Sequence, residues 1–138
     1  RRQRQMCIRD SPYQHVLEPL YAYLMIAAMQ YEDGKYAGYY NVGPDDVDCF
    51  QTGALVDLFV RKWGEGMKWV NRYDGGPHEA NFLKLDCAKL KTTFGWKPHW
   101  NLDTAIETVV EWSKCYLSGG DVRACMDEEI TAFLSAGE

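Results

Sequence analysis

The sequence predicts a mixed α/β fold, rich in helix and carrying a few short strands. Three observations predict it. Apolar residues recur at helical spacing in several segments that are bounded by cap and stop residues. The β-branched and aromatic runs between them are only three or four residues long. The chain has 138 residues, 46% hydrophobic and 25% charged, the profile of one globular domain rather than two. Strands this few and this short read as pieces of a sheet completed elsewhere.

The first helix opens at Glu18-Pro19, where the missing N–H of proline costs nothing. Leu17, Leu20, Tyr21, Leu24, Ala28 and Tyr31 mark its apolar face, and Asp33-Gly34 stops it. Tyr39-Tyr40-Asn41-Val42 reads as a short strand ended by Gly43-Pro44. Thr52 is placed to cap a helix carrying Leu55, Val56, Phe59, Val60 and Trp63, closed by Gly64. Lys68-Trp69-Val70 is a strand candidate, and Asp74-Gly75-Gly76-Pro77 is a loop by composition. Phe82 to Leu85 reads as a further short strand. Asp86 then caps a two-turn helix that Gly95 ends. Asn101 caps a longer helix with Ala105, Ile106, Val109, Val110 and Trp112 on or near one face, ended by Gly119-Gly120. Ile130, Phe133 and Leu134 mark a short final helix.

Arg1 to Ser11 stand apart. The string RRQRQMCIRDS matches the in-frame translation of a transposon-type sequencing adapter, and Arg1 to Asp10 are read as such, with Ser11 the junction. The other reading is a natural disordered basic arm. Residues 1–11 are therefore expected to be an adapter-derived or disordered tail, and residues 12–138 the folded domain. The whole chain has 15 basic and 20 acidic residues, a formal charge of −5. Setting aside Arg1, Arg2, Arg4, Arg9 and Asp10 leaves 11 basic and 19 acidic, a balance of −8. Such a chain has no general attraction for a phosphate backbone, so nucleic acid is not an expected partner. No apolar run is long enough to span a bilayer, so neither is a membrane. Cys49, Cys87, Cys115 and Cys125 are widely spaced and form no CxxC pair, which favours buried or half-buried free thiols in a reducing cytoplasm.

Little in the residues points to chemistry. Tyr31 and Lys35 make a literal YxxxK, but Asp33-Gly34 falls inside the spacing, where a helix ends; the match reads as a decoy and Tyr31 as a helix-end packing residue. His78-Glu79 follows a Gly-Gly-Pro turn and is not HExxH; a ligand contact and a solvated loop are evenly balanced there. The five tryptophans read mainly as packing residues. His15 and His99 have no metal partner at ligand spacing, and His99, after Pro98, is expected to be exposed. There is no GxGxxG, P-loop or GxSxG. No complete catalytic set, cofactor-binding motif or metal site is present.

The segment Pro12-Tyr13-Gln14-His15-Val16-Leu17-Glu18-Pro19-Leu20 resembles the C-terminal part of extended short-chain dehydrogenases/reductases that act on sugar nucleotides, above all the CDP-glucose 4,6-dehydratase family. The resemblance continues through Tyr40 to Pro44, Pro77-His78-Glu79-Ala80, the run LKLDCAKLKTTFGWKPHW at 83–100, and Val110-Glu111-Trp112. It implies that residues 12–138 are a sugar-nucleotide-binding C-terminal domain from which the Rossmann NAD domain is missing. It implies a parent enzyme, a homo-oligomer, that turns CDP-glucose into CDP-4-keto-6-deoxyglucose with tightly held NAD, on the way to bacterial surface polysaccharide. The fragment alone is then inactive, binds no NAD and exposes apolar surface that belongs against the missing domain.

Four positions carry over as substrate-binding residues: Asn41 from the strand-end NxG element, and Pro77, His78 and Glu79 from the PHE loop. Two positions depart from the family. Where it has an Arg facing the diphosphate, this chain has Ser11, so CDP-glucose binding is expected to be weak or absent. Tyr13 replaces a Trp, a milder change. Two other readings stand beside this one: a free-standing non-catalytic binding module of the same fold, and a fragment of another sugar-nucleotide dehydratase or epimerase.

Overall fold

The computed structural model describes residues 10–70 and 85–137. Five helices dominate: α1 (Leu17–Glu32), α2 (Thr52–Trp63), α3 (Ala88–Phe94), α4 (Leu102–Leu117) and α5 (Val122–Ala136). Among the described residues the only sheet is an antiparallel pair of three-residue strands, β1 (Asp10–Pro12) and β2 (Cys49–Gln51), with Ser11 opposite Phe50. The helix-rich reading holds.

β1 takes in Asp10 and Ser11, which the sequence reading assigned to the tail. A ladder is made by backbone groups, so the origin of the side chains does not bar the pairing. Tyr39–Val42, expected as a strand, has no ladder partner among the described residues. Its polar backbone is served by side chains instead. Lys89 Nζ donates to the Tyr39 carbonyl (3.2 Å), and Gln14 Nε2 donates to the Val42 carbonyl (3.3 Å). Lys68–Val70 is not a strand either; Trp69 Nε1 is drawn instead to Asp57 Oδ1 on α2 (2.8 Å). The expected loop at 74–77 lies outside the described residues, as does the 82–85 strand except for Leu85.

Helix ends follow the local chemistry closely. Asn101 Oδ1 accepts from the Thr104 N–H (2.9 Å) and starts α4. Asp86 Oδ1 accepts from the Ala88 N–H (2.9 Å) one residue ahead of the α3 cap position. Gly95 closes α3 in the left-handed region (φ 64°) and Gly64 closes α2 at φ 71°. Thr52 is not a cap: it is the first residue of α2, and its hydroxyl meets the Tyr13 hydroxyl at 2.9 Å. The final helix is not short. Asp121 Oδ1 caps it through the Ala124 N–H (3.0 Å), fifteen residues before Ala136.

The buried centre is small. Ala22 of α1, Leu90 of α3 and Trp96 pack with Tyr21, Met25, Ile26, Tyr40, Val42 and Phe94 around them. α4 lies between α2 and α5 and contributes Leu102, Ala105 and Val110 to the interior. Most of the expected face of α1 is turned outward. Leu24 is 71% exposed and Tyr31 90%, so Tyr31 is not the packing residue expected at the helix end. The helix is apolar on all sides, so periodicity could not choose the buried one.

Candidate functional site

Of the four carried-over residues, only Asn41 is described; Pro77, His78 and Glu79 lie outside the described residues. Asn41 is exposed, and its Nδ2 donates to the Asp86 carbonyl (3.0 Å). This bond ties the 39–44 segment to the LKLDC run just after Leu85. Gly43 lets the two segments meet: a Cβ there would stand 3.2 Å from Leu85 Cδ1 and 3.4 Å from Cys87 Sγ. Cys87 is buried at the crossing, donating weakly to the Leu85 carbonyl (3.6 Å) and the Gly43 carbonyl (3.9 Å). Burial holds its thiol neutral, above the ordinary range. One N–H of the Asn41 amide is thus committed to the fold, and its Oδ1 is of a type that can accept a hydrogen bond.

Beside this crossing lies an open cleft of about 560 Å³ lined by Pro44, Asp45, Asp46, Leu85, Asp86 and Lys91, among others. Among the described lining residues Lys91 is the one cation, and Asp45 holds it in an ion pair. That hydrogen bond raises the Lys91 pKa, so the amine stays charged and committed. Three aspartates against one paired lysine do not suit a diphosphate.

A second polar group was not legible as a unit. His15 and Glu18, at the start of α1, meet His99 and Trp100 across the fold. Glu18 is fully buried, and its Oε1 accepts from the N–H groups of His99 (2.9 Å) and Trp100 (2.8 Å). Its Oε2 has no partner among the described residues. Desolvation raises its pKa, against the pull of the two N–H donors.

His99 was expected to be exposed. Instead its ring lies between Tyr21 (4.7 Å between centroids) and Phe133 (4.6 Å), with Nδ1 donating to the Phe133 carbonyl (3.2 Å). Pro98 had suggested an exposed turn, whereas Glu18 pins that turn inward. His15 is buried too. Its Nδ1 accepts from the Leu17 N–H (3.3 Å), so Nε2 carries the proton toward Glu129 Oε1 at 2.8 Å. The contact has ion-pair distance, yet burial lowers the His15 pKa and raises that of Glu129, so a neutral imidazole donating to the carboxylate describes it better. Two short stretches 82 residues apart make this knot, and no spacing rule joins them.

An apolar groove of about 270 Å³ opens beside His15, between the start of α1 and the facing sides of α4 and α5. No cluster of three or more His, Cys, Asp or Glu side chains suited to a metal occurs among the described residues. No helix among them is long and apolar enough to cross a membrane. Cys49, Cys115 and Cys125 are half-buried free thiols, and Cys87 a buried one, as the spacing suggested.

In sequence the chain is similar to a sugar-nucleotide dehydratase. Over 126 residues, 91% of its length, the chain is 39% identical to CDP-glucose 4,6-dehydratase of Salmonella typhimurium strain LT2, and it is a homologue of that enzyme. It spans 35% of the length of that relative. No protein-family model matches the chain.

Proposed function

We propose that this chain is the C-terminal, substrate-binding portion of a cytoplasmic CDP-glucose 4,6-dehydratase whose remaining part binds NAD. The observation that carries the reading is 39% identity to such an enzyme along nine-tenths of this chain, with only a third of the relative matched. In the parent, bound NAD would serve as a reversible hydride acceptor for C4 of the glucose unit. Oxidation at C4 would acidify the C5 proton and so favour loss of water across C5–C6.

This chain's share is to hold the nucleotide sugar. Asn41 offers its amide carbonyl to a sugar hydroxyl, from a side chain held by the Nδ2 bond to the Asp86 carbonyl. The resemblance of their PHE motif supports assigning Pro77, His78 and Glu79 to contact with the nucleotide. The chemical step is assigned to the complementary part.

The test is a joined protein. The part of the Salmonella relative that this chain does not match is fused to residues 11–138 carrying Ser11→Arg, and is given NAD and CDP-glucose. Formation of the 4-keto-6-deoxy sugar is expected. A folded, NAD-loaded fusion that leaves CDP-glucose untouched overturns the reading. In an active fusion, His78→Ala is expected to raise KM for CDP-glucose several-fold with kcat little changed; an unchanged KM returns His78 to a loop role.

A further inference from the structure

A helix that is apolar on every side needs apolar cover on every side. Between Leu17 and Glu32, α1 has two charged residues, Glu18, which is buried, and Glu32 at its end. Its inner side packs through Ala22 with Tyr21, Met25 and Ile26. Its outer side is bare. Leu20 is 47% exposed, Tyr23 60% and Leu24 71%, and Val16, just ahead of the helix, is 61% exposed. Residues 16, 20, 23 and 24 share one face, and Ala27 and Tyr31 continue it, a stripe about 22 Å long at 1.5 Å per residue. At Val16 the stripe runs into the 270 Å³ groove, whose walls include Val109 of α4 and Ile130 of α5, themselves 38% and 40% exposed. Single exposed apolar residues are ordinary; an uninterrupted stripe ending in an apolar groove is an interface.

The identity of the cover follows from length. The chain matches 35% of its relative, so about two thirds of that protein has no counterpart in it. We infer that the outer stripe of α1 and the groove at its start are the seat of that complementary polypeptide, an interface within one parent protein. The inference rests on the reading above that the chain is a portion of a larger enzyme. A small ligand suits the surface poorly, because the polar pair of the groove, His15 and Glu129, is already engaged with itself.

Maleimide labelling, read peptide by peptide in a mass spectrometer, tests this. Leu24→Cys and, separately, Leu20→Cys are made in the 138-residue chain and in the fusion described above, with Ser135→Cys on the exposed side of α5 as reference. Both α1 thiols are expected to label at least tenfold more slowly in the fusion than in the chain alone, while the reference is unchanged. Equal labelling in both proteins overturns the inference. So does protection in the chain alone accompanied by a dimer mass in light scattering, which assigns the face to a second copy. Turnover is scored separately. A fusion that protects Leu24 but does not act on CDP-glucose sinks the functional reading and keeps the interface. An active fusion that leaves Leu24 open does the reverse.

Discussion

Glu18 does the work of a cross-link. Its carboxylate is the acceptor for two backbone N–H groups at the turn before α4, so that turn's position depends on one side chain in α1. Glu18→Ala leaves both donors unpaired in the interior and is expected to cost about 3 kcal/mol, read from denaturant melts. Glu18→Gln keeps the acceptor and is expected to lie within about 1 kcal/mol of the parent chain.

The sign of the pH effect separates charge from shape. Glu18 is raised from 4.5, so the folded state takes the proton first. Its contribution is therefore in place at low pH and is lost as pH rises through the window above 4.5. His15 is lowered from 6.5, so the unfolded chain takes that proton first, and stability is lost as pH falls below 6.5. Melting temperatures of Glu18→Gln and the parent chain should draw together at acid pH and separate in favour of Gln above 4.5. A gap that does not vary with pH would show that Glu18 does not titrate in the folded protein.

At the scale of elements, α4 is the helix against which α2 and α5 pack, and its two lysine contacts to α2 differ in kind. Lys114 Nζ donates to the Trp63 carbonyl (2.8 Å) at the end of α2 and to Glu65 Oε1 (3.0 Å). It satisfies a carbonyl that the helix leaves open. Lys62 reaches Asp103 (2.5 Å) and Glu107 (3.1 Å), both on the surface. Lys114→Met is expected to lower stability by about 1 kcal/mol with little dependence on salt, and Lys62→Met by less, fading in high salt. Equal and salt-sensitive losses would mean that the carbonyl bond contributes nothing.

Helix ends of this sort were legible in the sequence because caps are local: Asn101, Gly64 and Gly95 declare themselves within four residues. The 39–42 strand was not, because a strand exists only with a partner, and none stands beside it among the described residues. The buried side of α1 was not legible because every side is apolar. Asn41 was singled out by its resemblance to a motif, whereas the pairing of Glu18 with His99 and Trp100 joins two turns that no periodicity connects.

At the scale of the whole molecule, nine apolar residues are buried among the described ones while eighteen large apolar side chains are exposed. A domain with that balance is missing cover, which bears on whether it binds anything unaided. The free-standing binding module and the enzyme portion then differ in one observable. A ligand at tenfold its Kd stabilises the protein it binds by about 1.4 kcal/mol, a rise of about 5 °C in melting temperature for a domain of this size. The 560 Å³ cleft has no uncommitted cation among its described lining residues, and the position expected to supply one is Ser11. The chain alone is therefore expected to shift by less than about 1 °C in about 1 mM CDP-glucose or NAD, with or without Ser11→Arg, and the fusion by several degrees. A full shift in the chain alone would mean that these residues form a complete nucleotide-sugar site by themselves. The module reading would then displace the enzyme portion, since a site that needs no second domain has no use for the bare side of α1.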